Sequence, residues 1–413
     1  MRVLYLSQYF PPENGATQVR SFEMAKHLVR QGHQVTVIAN VPNHPEGIIR
    51  PEFRNVWYRK AELEGIDVRY VKVLAFEEKS FNKRIIFYLT YMFMASLAGL
   101  LACREKYDCI YATSPPLFVG GTALFLKWAK NIPMFFEVRD PWPQVAVELN
   151  LVRSGMAIKM ATALEKACYR NAVKIIVVTD SVKEMLEARN VSPEKLVVIP
   201  NGATVESFDW SGEERARVRS QLGLQDKFVI LHAGNMGVAQ SLHALLDAAK
   251  LMESDPKYQF LMVGGGPLEN ELTERAQAMG LKNVAFLGQK PREEMPGIFS
   301  ASDAAAVTSR ALEVFKSMKP VKMFDAWACQ TPVILGMEGE AKVTMECVGG
   351  GIHYRPEDAE DMVRAIKGMD ALGPDARRDM GKKCRQYVVD NYSRASHARA
   401  FEQVLLDHLK PEQ

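Results

Sequence analysis

The chain has 413 residues, 47% apolar and 24% charged, which supplies material for more than one hydrophobic core and excludes a disordered or low-complexity protein. A formal net charge of +3 argues against a nucleic-acid partner, and six scattered cysteines without a CxxC pair or nearby histidines argue against zinc; buried free thiols in a reducing compartment are expected. Charge is uneven, with 26 Lys and Arg against 19 Asp and Glu in residues 1–200 and 26 against 30 thereafter, so the first half is the candidate for contact with an anionic membrane or lipid phosphate.

In chain order, the apolar run Val3 to Leu6 leads into a loop, a helix near Thr17 to Arg30 and a strand at Gln34 to Ala39. Strand, helix, strand predicts a parallel sheet with right-handed crossovers. The first apolar run gives way to Pro11-Pro12 and is too short for a secretory signal, so a cytoplasmic location is expected. Further strands are predicted near Asp67 to Val73, Cys109 to Ala112, Met134 to Glu137 and Lys174 to Val178. Residues 85–103 carry no charge and pass the length test for a transmembrane helix. Flanking Lys83-Arg84 and Arg104-Glu105-Lys106 favour a helix packed on the first sheet, with insertion into a bilayer surface as the next reading and a span as the last.

Leu196 to Pro200 ends in the turn pair Asn201-Gly202, and polar sequence follows to Arg219, which marks a domain junction. A second series of strands is predicted at Phe228 to Ala233, Gln259 to Val263, Val284 to Leu287, Ala304 to Val307 and Pro332 to Leu335. The expected domains are 1–203, 204–385, and a C-terminal helix over 386–413 folding back on the first. Within the charged, helical stretch Ala376 to Leu409, the residues Tyr387, Val388, Tyr392, Phe401, Val404 and Leu405 supply a buried stripe.

Several loops have the chemistry to hold a ligand. Pro11 to Ala16, with Gly15, lies between the first strand and helix, where backbone N–H groups can meet an anion; it lacks GxGxxG, so a dinucleotide is disfavoured. Gly234-Asn235-Met236-Gly237, followed by Gln240, and Gly264-Gly265-Gly266-Pro267 each follow a strand, the position at which open α/β sheets bind ligands. Together they favour a nucleotide diphosphate in the second domain, although each alone is equally an ordinary turn. Arg139-Asp140-Pro141-Trp142-Pro143 ends a strand with a guanidinium, a carboxylate and an indole, groups suited to sugar hydroxyls and pyranose faces, or to a structural ion pair of Arg139 with either Glu137 or Asp140. Lys316, Lys319 and Lys322 precede or open a helix beginning near Pro320 or Val321, where cations and a helix N-terminus stabilise a departing diphosphate; a solvated basic face is the plain alternative. Asp325, one turn later, is placed to take a ribose hydroxyl.

In this order the motifs resemble retaining glycosyltransferases of family 4. The likeness is carried by Pro11 to Gly15, Arg139 to Pro143, Val198-Ile199-Pro200-Asn201-Gly202, Gly234 to Leu242, Gly264 to Pro267 and Pro320 to Ala328. The Arg-Asp-x-Trp-Pro form is most similar to the branch building O-antigen, colanic acid and related bacterial surface polysaccharides on polyprenyl diphosphate. The resemblance implies the α/β GT-B fold, two Rossmann-like doubly wound domains facing a cleft. It also implies a nucleotide-sugar donor, most often UDP-linked, in the second domain, a saccharide or polyprenyl-linked acceptor on the side of the first, and no metal or other cofactor. Asp325 falls at the second Glu of the family's E-x7-E motif, while the first is Ser317. Asn235 and Gln240 stand where many members have Arg and Lys, and Lys322 matches the lysine of a Pro-Ser-Lys variant, with Val321 in place of Ser.

These readings give a hexosyltransferase that works by leaving-group stabilisation, with retention through same-face attack. Arg139, Asp140 and Lys322 are the expected catalytic residues. Gly15, Gly234, Asn235, Gly237, Gln240, Gly265, Gly266, Lys316, Val321 and Asp325 are expected around the donor. A nucleotide-sugar 2-epimerase and a non-catalytic protein binding nucleotide sugar or lipid carrier are the competing readings. Peripheral association with the inner face of the plasma membrane, through the basic first domain and residues 85–103, is expected as well.

Overall fold

Alternating buried apolar runs and amphipathic helices assemble, in the computed structural model, into two α/β units, one of residues 1–200 with 395–413 and one of residues 201–394. The structure describes residues 1–13, 15–44, 47–77, 80–150, 152 and 154–409, with 16 and 17 as backbone only. Asn14 of the first glycine loop therefore lies outside the described residues.

The first unit contains β1 (Arg2–Leu6), β2 (Gln34–Asn40), β3 (Tyr58–Leu63), β4 (Ile66–Val71), β5 (Cys109–Ser114), β6 (Met134–Val138), β7 (Lys174–Val177) and β8 (Leu196–Val198). They form one sheet in the order β3-β4-β2-β1-β5-β6-β7-β8. Val3 to Leu6 and all of β5 and β6 are buried, as expected of parallel strands covered on both faces. The sheet is not wholly parallel, because β3 pairs antiparallel with β4. The unforeseen β3 is a charged edge strand, Tyr-Arg-Lys-Ala-Glu-Leu, without the apolar run that announces a buried strand. It turns into β4 through Glu64 and Gly65, both at positive φ, the geometry of a two-residue hairpin.

The second unit contains β9 (Phe228–Ala233), β10 (Tyr258–Val263), β11 (Val284–Gly288), β12 (Ala304–Thr308), β13 (Val333–Gly336) and β14 (Gly351–His353). Their order, β11-β10-β9-β12-β13-β14, is all parallel and reverses direction of winding between β9 and β12. The short β14 was not anticipated; it begins at Gly351, where an added Cβ would lie 2.2 Å from the Val333 carbonyl oxygen of its neighbour.

The single C-terminal stripe expected from the sequence is divided between two helices. On Gly373–Asn391 and just beyond it, Tyr392 stacks on Phe324 at 4.0 Å and Tyr387 meets Trp327 at 6.2 Å, all within the second unit. Arg394–Leu409 instead delivers Phe401 and Leu405 to the first core, with Phe401 edge-on to Tyr111 at 4.6 Å. The Glu402 carboxylate on this helix meets His27 Nε2 and His33 Nε2, each at 2.8 Å. Five of the cysteines are buried free thiols, but Cys347 is exposed, contrary to the expectation for the set.

Residues 85–103 lie within and just after the helix Phe81–Leu101, whose inner face places Phe87, Tyr91, Ala95 and Ala98 against the first sheet. The Tyr91 hydroxyl donates to the Ile38 carbonyl at 2.8 Å and anchors that packing. Thr90 and Ser96 satisfy themselves locally, donating to Phe87 and Met92 carbonyls.

Candidate functional site

In the second unit, the crossover reversal between β9 and β12 opens the carboxyl edge of the sheet, and the predicted loops meet there. Gly234, Gly264 and Gly266 have φ of 128°, 130° and 154°, which favours glycine. A Cβ on Gly264 would lie 1.9 Å from the Gly234 carbonyl oxygen, so no side chain fits between these loops. Gly234 N–H donates to Val263, Met236 N–H to Gly265 and Leu268 N–H to Met236, at 2.8, 2.8 and 3.0 Å. The loop at 264–267 is thus a buttress for the loop at 234–237, not a second independent anion cradle.

Asn235 and Gln240 shape this layer from within. A Cβ at Gly237 would meet Asn235 Nδ2 at 2.6 Å, and one at Gly265 would meet Gln289 and Glu269. Gln240 uses its Oε1 to accept the Gly237 N–H at 3.2 Å, while its own carbonyl accepts the Thr308 hydroxyl. Its side chain therefore fixes the loop.

Val321–Ala328 is a helix with Pro320 at its N-cap and no side-chain cap, which leaves its first turn to be satisfied from outside. Lys322 Nζ is shielded from solvent and has no hydrogen-bond partner among the described residues. A Cβ on Gly234 would be 3.8 Å from that Nζ, so the ammonium lies directly beside the glycine loop. Burial lowers its pKa to about 8. Beneath the loop, His232 is fully buried, and its pKa is held well below the usual value by burial and then by the Lys322 charge.

Asp325, three residues on, also has an oxygen, Oδ1, with no hydrogen bond among the described residues; Arg292 approaches it only to 4.0 Å. Burial raises its pKa, and Arg292 and Arg394 oppose that rise. The other two lysines are committed elsewhere. Lys316 is at the surface with Glu313 at 2.7 Å, and Lys319 pairs with Glu340 at 2.7 Å. The three do not form one cationic cluster; only Lys322 reaches the glycine loop. Ser317 is buried, with its hydroxyl donating to the Val314 carbonyl at 2.9 Å.

The first unit has its own constellation at the ends of β1, β5 and β6. Glu137 is buried between Arg20 Nη2 at 2.8 Å and Arg139 Nε at 3.7 Å, and accepts the Thr113 hydroxyl. Burial alone would raise its pKa, but Arg20 and Arg139 outweigh burial and hold it below the ordinary carboxylate value. Arg139 also donates from Nη2 to the Pro115 carbonyl at 3.0 Å, so its guanidinium is tied into the framework. Asp140 is the next residue along, and burial raises its pKa against the pull of Arg139. Gly15, at the start of the helix Ala16–Arg30, has extended backbone; a Cβ there would meet Gln18 Oε1 at 2.5 Å.

Sequence reasoning gave Glu13 no role of its own within the loop Pro11 to Ala16 and passed over Arg20 and His232, because isolated polar residues give no periodic signal. Glu13 is buried and its Oε1 accepts the backbone N–H groups of Asn43 and His44 at 2.6 and 2.8 Å. Burial still wins, raising its pKa to about 7.

Solved structures share this architecture. HepE of Anabaena, determined with UDP-glucose, matches with a TM-score of 0.75 at 18% identity, covering 98% of this chain and all of its own. Sucrose-phosphate synthase of Thermosynechococcus elongatus matches with a TM-score of 0.74 at 20% identity, covering 98% of each. The fold is that of the GT-B glycosyltransferases. Residues 15–202 match the glycosyl transferase 4-like domain and residues 214–387 the glycosyl transferases group 1 domain; the chain belongs to the glycosyltransferases of the family 4 type. A relative named for colanic acid biosynthesis, WcaI of Escherichia coli, is 24% identical over 376 residues, 89% of this chain and 91% of its own. A D-inositol 3-phosphate glycosyltransferase of Corynebacterium jeikeium is 29% identical, covering all of this chain and 97% of its own.

Proposed function

We propose that the chain transfers a hexosyl residue, with retention, from a UDP-linked donor to a saccharide or polyprenyl-diphosphate-linked acceptor in surface-polysaccharide synthesis on the cytoplasmic side of the membrane. The observation that carries the donor half is Lys322. A buried ammonium without a partner is costly, and a diphosphate beside Gly234 would supply the missing anion. UDP is chosen because HepE has been determined in complex with UDP and with UDP-glucose, and the acceptor class because WcaI is named for colanic acid biosynthesis.

In this reading the Gly234 to Gly237 loop and the open first turn of Val321–Ala328 receive the diphosphate, and Asp325 takes a ribose hydroxyl. Lys322 neutralises the charge that grows as the bond from the anomeric carbon to the diphosphate breaks, so the role of a metal is assigned to the protein. Attack on the same face gives retention without a protein nucleophile. Asp140 handles a sugar or acceptor hydroxyl, and Arg139, held by Glu137 and Pro115, positions it.

A panel of UDP- and GDP-sugars, incubated with polyprenyl-linked saccharide and followed by product NMR, tests the reading. Transfer from one UDP-sugar with the anomeric configuration kept is expected. Donor epimerised without transfer, or donor bound and unchanged, would replace it with the epimerase or the binding protein.

A further inference from the structure

One face of the first unit is apolar where solvent should meet it. On the helix Phe81–Leu101, the residues Ile86, Leu89, Phe93, Leu97 and Leu100 are exposed at helical spacing, on the side opposite Phe87, Tyr91 and Ala95, and Phe93 is 67% exposed. The helix Val119–Lys130 packs beside it and exposes Phe125 and Trp128, the latter at 82%. Next to that lies Gly155–Asn171, exposing Met156 at 69% and Met160 at 67%. Single exposed apolar residues are ordinary, but a band across three adjacent helices marks an interaction surface.

Its charge identifies the partner. Across the three helices the cations are Lys83, Arg84, Lys127, Lys130, Lys159, Lys166 and Arg170, and the one carboxylate is Glu165. Glu165 is turned inward, accepting the Tyr169 hydroxyl at 2.8 Å, so the outer face presents no acid of its own. Lys127 and Lys159 form no ion pair among the described residues. Just beyond the first helix, Glu105 is engaged by Arg69 at 3.4 Å and Tyr107 at 3.2 Å. Aromatic and aliphatic groups exposed on helices that also carry these cations match an anionic lipid surface, where tails bury the former and headgroups meet the latter.

We propose that this three-helix face seats the protein on the surface of an anionic bilayer, lying on it and not crossing it. Crossing would strip Phe87, Tyr91 and Ala95 from the core and break the Tyr91 bond to Ile38. A second copy is the poorer occupant, since a twofold interface would bring the same cations of both copies together. The inference rests on the first unit alone and stands whether or not the donor assignment does.

Co-sedimentation of the full chain with phosphatidylcholine vesicles, with and without roughly a third phosphatidylglycerol, tests it. The wild type is expected to bind anionic vesicles about tenfold or more better than neutral ones, and to weaken with salt. Phe93→Ser with Trp128→Ser and Met160→Ser, and separately Lys127→Glu with Lys159→Glu, should each cut binding by about tenfold or more. Far-UV circular dichroism and the unfolding temperature, unchanged in both, show that the fold survives, as expected for surface positions. Equal binding by wild type and folded variants, no binding by the wild type, or a wild-type dimer that the apolar variants dissociate would overturn the proposal.

Discussion

Lys322 and Glu13 show how two buried groups make opposite demands on pH. The folded-state pKa of Lys322 is depressed to about 8 from 10.5, so between those values the native protein holds fewer protons than the unfolded chain. Stability therefore rises with pH across that window, and the charged lysine costs most below it. Lys322→Met should stabilise the ligand-free protein at neutral pH by on the order of 1–3 kcal/mol, with a higher unfolding temperature, and flatten the rise seen in calorimetry toward alkaline pH. Glu13 runs the other way. Its pKa is raised to about 7 from 4.5, so native protons exceed unfolded ones between those values and stability falls as pH rises through them. Glu13→Gln keeps an acceptor for the Asn43 and His44 N–H groups while removing the charge, and should remove this group's share of the fall in stability between about pH 5 and 7. A glutamine variant with the wild-type slope would show that another group is responsible.

At the scale of the element, the glycine loops act as one unit, because the loop after β10 leaves no room for a side chain beside Gly234. Gly264→Ala should cost about 2–4 kcal/mol by chemical denaturation, through both its left-handed φ and the clash with the Gly234 carbonyl. The end of β6 separates framework from chemistry. Arg139→Ala leaves the buried Glu137 with less compensating charge and should lower stability by about 2–4 kcal/mol together with turnover. Asp140→Asn should lower turnover at least about tenfold with stability nearly unchanged. Equal stability loss in both would assign Asp140 to the framework as well. These elements were legible to different degrees. The buried parallel strands announce themselves as apolar runs, and the lone glycines as turns. β3 does not, since its residues are charged and its edge is set by a Glu-Gly turn that is a weak signal. The division of the C-terminal stripe was equally hidden, because helical spacing runs on through Tyr392 while the two halves pack in different cores.

On the scale of the whole molecule, the two-sheet architecture and the family followed from the order of motifs, each placed after a strand. What the order could not supply was the pairing of charges across the sequence. Three lysines at spacing three suggest one cationic patch, yet Glu313 and Glu340 claim Lys316 and Lys319 and leave Lys322 alone beside Gly234. That solitary ammonium is the centre of the donor account. Calorimetric titration of UDP into the full chain and into Lys322→Ala tests it most directly. Saturable binding to the wild type, weakened at least about tenfold in the variant, is predicted. Equal affinity in the two proteins, or no binding of UDP by the wild type, would contradict the assignment.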